Sequence, residues 1–301
     1  MAGLKGLRGR LSIHTGDGIL KIIDAHLHFS CRPGFNETAK NISQVEFSAQ
    51  GLRQEFEQAG VVAGIIMSTP SRKPNLPSGS PEEFVLADGT VEGLLSCVGV
   101  NPERLKEDHK ELDYIEGELK KRGVTGIKLY PGYFPYYVYD SIYDPIYELA
   151  RKYEVPVAIH CGDTQSPKGL LKYSHPLTID ELAVKQEDVT FVICHMGVPW
   201  MIDAAEVTAK NHNVYTDLSG LIAGNKEHVM KIKDKRLYVE YIQQALVISD
   251  CYNKVLYGSD WPLVPIKPYV EFIKHVIPEE YHEAVFYRNV LKVYPKLNEI
   301  L

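Results

Sequence analysis

Eight short apolar runs alternate with longer segments of helical character along nearly the whole of this chain. Most of the runs are rich in valine and isoleucine, and several end in glycine or proline, which is typical of parallel strands covered on both faces. The predicted strands are Ile22–Phe29, Val61–Thr69, Leu94–Asn101, Val124–Tyr130, Val155–Cys161, Val189–His195, Asn213–Ser219 and Lys254–Asp260. Eight strands, each followed by a helical segment, indicate an α/β fold, a single-domain (β/α)8 TIM barrel.

The main alternative is an open, doubly wound parallel sheet. No Gly-x-Gly-x-x-Gly or Walker-type turn follows any predicted strand, which weakens that alternative. We therefore expect an N-terminal extension over residues 1–21 and one barrel over residues 22–301. Ser43 is predicted to cap a helix that runs to Gln58, because Glu46 follows it at the spacing of a capping box.

Charge and composition narrow the choice of partners. The formal net charge is -6, so the chain does not carry the excess of basic residues expected of a nucleic-acid-binding protein. No run of about eighteen apolar residues exists, which predicts that no segment spans a membrane. The five cysteines are widely spaced, an arrangement that favours neither a disulfide framework nor a structural zinc module. We expect a cytoplasmic protein that binds a small-molecule substrate, with homo-oligomerisation left open.

The first predicted strand carries the most informative motif, an Asp-Ala-His-Leu-His segment. Residues two apart share one face of a strand, so His26 and His28 are predicted to point together into the barrel. By the same rule, Ile23, Ala25 and Leu27 are expected on the face towards the helices. Two imidazoles at the C-terminal end of an inner strand are placed to bind one divalent ion, although a His-x-His pair alone is a weak signal.

Three further polar residues end predicted strands. His160 ends the fifth strand, His195 the sixth and Asp260 the eighth. A closed barrel brings the C-terminal ends of all its strands to one face, where active sites form, whereas an open sheet would separate them. Four histidines and one aspartate in such positions predict a metal-dependent site.

Several of these segments together resemble the amidohydrolase superfamily. The shared patterns are Asp-Ala-His-x-His, Gly-Ile-Lys-Leu, Ile-His-Cys-Gly, Cys-His-Met-Gly and Gly-Ser-Asp-Trp-Pro. The chain is most similar to the amidohydrolase-related branch that includes aminocarboxymuconate semialdehyde decarboxylase, γ-resorcylate decarboxylase and several lactone or amide hydrolases. The resemblance covers about residues 22 to 295.

The resemblance implies a metal site with particular roles for these residues. His26, His28, His160 and Asp260 would be the metal ligands, and His195 would activate or orient the metal-bound water. Neutral imidazoles and a carboxylate suit one Zn²⁺ ion, with an open position for a water whose pKa falls to about 7. Asp260 would either ligate the ion or take a proton from that water, so it joins His195 as a catalytic candidate.

Lys128 has two interpretations. Some binuclear members of the superfamily carry a carboxylated lysine on this strand, whereas the related mononuclear branch often has the same motif without the modification. We expect an unmodified Lys128 that lines the site. The other predicted substrate-binding residues are Arg32, Tyr130 and Trp261. Further candidates lie in two long loops that follow strands: Arg72, Lys73, Tyr133, Tyr136, Tyr137 and Tyr139. Asp217, which ends the seventh strand, is a candidate for supporting the site.

Three classes of function fit these features. A metal-dependent hydrolase would use an activated water on an amide, ester or lactone. A non-oxidative decarboxylase would use the same ligands on an aromatic or enoic acid. A metal-binding protein without catalytic activity is the third class, and the complete set of candidate ligands argues against it. Hydrolysis is the preferred prediction, since it requires the fewest further features.

Overall fold

A computed structural model of the chain describes residues 20–30, 33–70, 91–107 and 109–301. Eight parallel strands lie side by side in sequence order within one sheet. They are β1 (Ile22–Leu27), β2 (Val61–Met67), β3 (Leu94–Gly99), β4 (Val124–Leu129), β5 (Val157–Ile159), β6 (Phe191–Ile193), β7 (Val214–Asp217) and β8 (Val255–Leu256). Each predicted run thus contains a strand, and each observed strand ends before its run does.

Backbone hydrogen bonds between β1 and the segment that follows β8 close the sheet into a barrel. The amide of Ala25 donates to the carbonyl of Tyr257 at 2.9 Å, and the amide of Asp260 donates to the carbonyl of His26 at 2.7 Å. Leu27 and Trp261 form a parallel bridge. The fold is therefore a single-domain (β/α)8 TIM barrel, as the sequence predicts.

Helices connect the strands in the described ranges. They are α1 (Pro33–Thr38), α2 (Ala49–Ala59), α3 (Pro102–Glu107), α4 (His109–Leu119), α5 (Asp144–Tyr153), α6 (Leu177–Lys185), α7 (Met201–Lys210), α8 (Lys226–Lys233), α9 (Arg236–Ser249), α10 (Ile266–Val276) and α11 (Asn289–Val293). None of them is long and apolar enough to cross a membrane. The predicted cap at Ser43 is wrong: Ser48 caps α2, accepting a hydrogen bond from the amide of Gly51 at 2.8 Å.

Two apolar clusters fill the molecule. The outer one lies between the strands and the helices and includes Leu27 of β1 with Leu52 and Phe56 of α2. The inner one consists mainly of strand residues, and includes Ile23 and Ala25. The prediction that Ile23 and Ala25 face the helices is therefore wrong.

The cause lies in the pairing of β1 with β2. Their register shifts between Ile22 and Ile23 and again between Asp24 and Leu27. Such a bulge inserts a residue and redirects the side chains that follow it. Ala25 can therefore join the inner cluster while His26, the next residue, still lines the cavity at the barrel mouth.

Candidate metal centre

His26 and His28 are each oriented by a hydrogen bond at Nδ1. Nδ1 of His26 lies 2.9 Å from Oδ2 of Asp217, and Nδ1 of His28 lies 2.8 Å from the carbonyl oxygen of Met67. An ionised carboxylate and a carbonyl oxygen can only accept, so each Nδ1 carries the proton. In the neutral rings, the Nε2 atoms keep their lone pairs. This second hydrogen bond on the far ring nitrogen is the usual arrangement of a metal-binding histidine.

Asp260 lies opposite both Nε2 atoms. Its Oδ1 is 3.1 Å from Nε2 of His28 and 3.5 Å from Nε2 of His26. Asp260 also has a left-handed backbone, with φ of 62°, a conformation that costs energy outside glycine and is concentrated at functional sites. The hydrogen bond from the amide of Asp260 to the carbonyl of His26 holds this backbone in place. The fold itself therefore sets the distance between the carboxylate and the two rings.

These atoms form a site whose chemistry fits a divalent cation. Nε2 of His26 and Oδ1 of Asp260 are buried, and neither has a hydrogen-bond partner within the described ranges. The ligand atoms of His26, His28 and Asp260 all lie within 4.8 Å of one another. Two nitrogen lone pairs and a carboxylate oxygen converge without a donor between them, and a shared cation would offset the cost of burying them.

The electrostatics keep His26 and Asp260 in the protonation states that a metal requires. Burial, together with the nearby Lys128 ammonium, lowers the pKa of His26 to about 3, so its ring is neutral. Burial alone would raise the pKa of Asp260, but contact with His28 and the electrostatic interactions with His195 and His26 hold it well below its usual range. Neutral imidazole and ionised carboxylate are the forms that bind metals.

His195 lies beside this group with a strained backbone. It follows β6, its φ is 60°, and Met196 and Gly197 are left-handed as well. Nδ1 of His195 is 2.9 Å from Oγ of Ser219 and 3.8 Å from Oδ2 of Asp260. Burial lowers the pKa of His195 below its ordinary value, which favours a neutral ring able to accept a proton.

His160 has a different arrangement. Its ring centroid lies 5.0 Å from that of His195. Among the described residues, two groups of candidate ligands have all their ligand atoms within 4.8 Å of one another, and His160 belongs to neither: they are His26, His28 and Asp260, and His26, His195 and Asp217. Nε2 of His160 lies 2.9 Å from the carbonyl oxygen of Asp163, so Nε2 carries the proton and Nδ1 the lone pair. His160 therefore offers an ion the opposite ring nitrogen from His26 and His28.

A cavity of about 700 Å³ opens above these residues. Lys128 and Tyr130 both line it, as their shared strand face predicts. Lys128 is fully buried, and its Nζ lies 2.6 Å from Sγ of Cys194 rather than at a carboxylate. The hydroxyl of Tyr130 donates to the carbonyl of Ser68 at 3.0 Å. Among the described residues no arginine lines the cavity.

Trp261, another predicted substrate-binding residue, does not line this cavity. Trp261 is fully buried and packs against Phe47, with ring centroids 4.9 Å apart, so it supports the rim of the barrel from behind. Of the loop tyrosines, Tyr133 lines the cavity, whereas Tyr137 and Tyr139 stack on each other. Arg32, Arg72 and Lys73 lie outside the described residues.

Three residues of the site were not singled out from the sequence. Phe35 lines the cavity and stacks on His28, with ring centroids 4.8 Å apart. Ser219 contacts His195, and Gly220 lies where a Cβ atom would meet Nδ1 of His195 at 2.7 Å. The polar Asp-Leu-Ser-Gly segment at the end of the seventh strand was the available signal for the last two.

Comparison with known proteins identifies the family. The model of the amidohydrolase family matches residues 23–296, nearly the whole chain. The chain belongs to the amidohydrolase family. No curated protein matches it in sequence.

Several solved structures share the fold of this amidohydrolase, although their sequences are only distantly similar to it. An uncharacterised TIM-barrel protein from Bordetella bronchiseptica is 21% identical with a TM-score of 0.66, over 93% of this chain and 100% of that one. A probable 2-pyrone-4,6-dicarboxylic acid hydrolase from Acinetobacter baumannii is 15% identical with a TM-score of 0.60, over 92% and 99%. A 5-carboxyvanillate decarboxylase from Novosphingobium aromaticivorans, complexed with manganese, is 13% identical with a TM-score of 0.58, over 91% and 96%. At these identities the likeness shows the fold alone.

Proposed function

We propose that this amidohydrolase is a metal-dependent hydrolase that acts on an amide, ester or lactone bond of a small, carboxylated substrate. The observation that carries the proposal is the convergence of Nε2 of His26, Nε2 of His28 and Oδ1 of Asp260 at the floor of an open cavity. The same fold supports both a hydrolase and a decarboxylase among the solved neighbours. Family membership therefore supports an enzyme without choosing the reaction.

In this proposal His26, His28, His160 and Asp260 hold one divalent ion, most simply Zn²⁺, because imidazole and carboxylate ligands suit it. When bound, such an ion would supply Lewis-acid chemistry and lower the pKa of water to about 7. The manganese in the decarboxylase neighbour supports a divalent ion of some kind at this barrel mouth.

The residues of the chain would divide the remaining work. Nδ1 of His195 is committed to Ser219, so Nε2 is the ring nitrogen left to accept a proton from the attacking water and return it to the leaving group. Tyr130 and Lys128 would bound the substrate from the β4 side of the cavity. Phe35 would cover it near His28.

Hydrolysis requires less than decarboxylation. It needs a carbonyl group held near an activated water. Decarboxylation also requires a substrate carbon that accepts a proton and favours a fixed cation for the carboxylate. Arg32, a candidate for that cation, lies outside the described residues, so the preference rests on hydrolysis requiring fewer further features.

A substrate panel tests the reaction class. The zinc-loaded protein would be incubated with lactones, esters, amides and hydroxybenzoates, and both acid release and evolved CO2 would be measured. We expect acid release from at least one carbonyl substrate, and its loss in a matched preparation of His195→Asn. Turnover confined to CO2 release from an aromatic or enoic acid would overturn the proposal in favour of decarboxylation.

A further inference from the structure

Asp217 lies at the end of β7, fully buried, between two of the candidate site histidines. Its Oδ2 lies 2.9 Å from Nδ1 of His26. Its Oδ1 accepts the backbone amide of His195 at 2.9 Å and the backbone amide of Ser219 at 3.0 Å. The hydroxyl of Ser219 donates to the same Oδ1. One carboxylate therefore holds the ring of His26, the strained backbone of His195 and the side chain of Ser219.

The contacts of His195 determine which ring nitrogen carries its proton. Nδ1 of His195 lies 2.9 Å from Oγ of Ser219 and 3.3 Å from the carbonyl oxygen of the same residue. The carbonyl can only accept. The Ser219 hydroxyl spends its single proton on Asp217, so its oxygen accepts as well. Both neighbours thus require a proton on Nδ1, which leaves the lone pair of a neutral His195 on Nε2.

The backbone around Ser219 makes this arrangement specific. Gly220 follows with φ of 63°, and a Cβ atom there would meet Nδ1 of His195 at 2.7 Å and Oδ2 of Asp260 at 2.8 Å. The chain therefore approaches the His195 ring so closely that position 220 has no room for a side chain, while the hydroxyl of Ser219 contacts Nδ1.

We propose that Ser219 is a positioning residue, which acts with Asp217 to fix His195 as the Nδ1–H tautomer with Nε2 free for proton transfer. Because the other oxygen of Asp217 holds Nδ1 of His26, the same carboxylate also ties the orientation of His195 to that of a proposed metal ligand. The catalytic meaning of this inference rests on the proposed function, but the tautomer itself does not.

The test uses nitrogen-15 histidine spectra of the full chain, which distinguish a proton on Nδ1 from one on Nε2. The His195 signals are assigned by their loss in His195→Asn. We expect the Nδ1–H form in the wild-type protein, a smaller population of it in Ser219→Ala, where only the 3.3 Å contact with the backbone carbonyl remains, and its retention in Ser219→Thr, which keeps a hydroxyl. Thr216→Val is the matched control, because Thr216 lies three residues earlier, on β7, and its buried hydroxyl donates instead to the carbonyl of Ile193 at 2.9 Å.

Metal content and kinetics complete the test. Ser219→Ala should keep its metal and lose about tenfold or more in kcat, the scale on which partners of metal-site groups act, with little change in KM. Ser219→Thr and Thr216→Val should stay near wild type. A wild-type His195 protonated on Nε2, or an unchanged population of the Nδ1–H form in Ser219→Ala, would overturn the inference. If the tautomer responds as expected while no substrate of the panel is hydrolysed, the positioning role stands and the proposed function fails.

Discussion

The two sides of the candidate metal centre are constructed differently. On the β1 and β8 side, the amide of Asp260 donates to the carbonyl of His26, and the amide of His28 donates to the carbonyl of Trp261 at 2.6 Å. These bonds fix the backbone that carries three converging ligand atoms. On the β5 side, the amide of His160 donates to the carbonyl of Leu129 at 2.9 Å, but its ring is held through Nε2 by the carbonyl of Asp163, only three residues further along the chain.

This difference separates ligands that the barrel closure positions from a ligand that depends on local chain geometry. The seam between β1 and β8 must form for the barrel to close, so His26, His28 and Asp260 are brought together by folding itself. His160 needs the turn after β5 in addition. We therefore expect the seam ligands to dominate metal affinity, with His160 completing the coordination.

The largest effect is expected from removing one of the metal ligands that the seam between β1 and β8 carries. His26→Ala should remove the metal and reduce activity to background, because it takes away a ligand and leaves Asp217 buried without its ring partner. His160→Ala should weaken zinc binding by a smaller factor. Competition with a chelator measures both, with the exposed His212→Ala as control. Equal losses in the two variants would contradict the distinction between the two sides.

Alternation along β1 correctly predicted the directions of His26, Leu27 and His28 and failed for Ile23 and Ala25. Alternation predicted that Ile23 and Ala25 face the helices, whereas a shift in the pairing of β1 with β2 turns them inward. A bulge depends on the partner strand and leaves no mark in the β1 sequence. The eight strand positions were predictable because each strand lies within a short run of mainly apolar residues.

The site was predictable to the level of which residues end strands, and no further. His26, His28, His195 and Asp260 were expected near one another and lie together. Trp261 was expected at the substrate, yet its ring is buried behind the site. The direction of a side chain on a loop depends on backbone conformation, as at left-handed Asp260, which local sequence does not specify.

The second effect concerns proton transfer rather than metal binding. His195→Asn should retain most of the metal and lose about 10²-fold or more in activity, the scale of general acid–base groups. Zinc analysis and steady-state kinetics on the same preparation check this, with His175→Asn as control, since His175 packs against Trp200 away from the cavity. If His195→Asn is purified without metal, His195 is a ligand and belongs with the seam residues.

The smallest effect is expected where the chain approaches the site without contributing a side chain. Gly220→Ala would place a Cβ atom against His195 and Asp260 on a left-handed backbone, at a cost of about 1–3 kcal/mol in the free energy of unfolding. Activity should fall by about tenfold through the displaced His195 ring. Denaturant unfolding and kinetics measure the two losses.

Gly117→Ala is the matched control for that variant, because nothing lies within 4 Å of a Cβ atom there and Gly117 sits inside helix α4. Alanine at that position should leave activity unchanged and should not destabilise the fold. Full activity in Gly220→Ala would show that the close approach to His195 has no catalytic consequence.

A crystal structure of the zinc-loaded protein, with anomalous data at the zinc edge, tests whether one divalent ion lies among His26, His28, His160 and Asp260. We predict about one ion per chain, bound by Nε2 of His26 and His28, by the Asp260 carboxylate and by His160, with Lys128 as a free amine. An ion elsewhere, or two ions about 3.5 Å apart bridged by a carboxylated Lys128, would contradict this prediction.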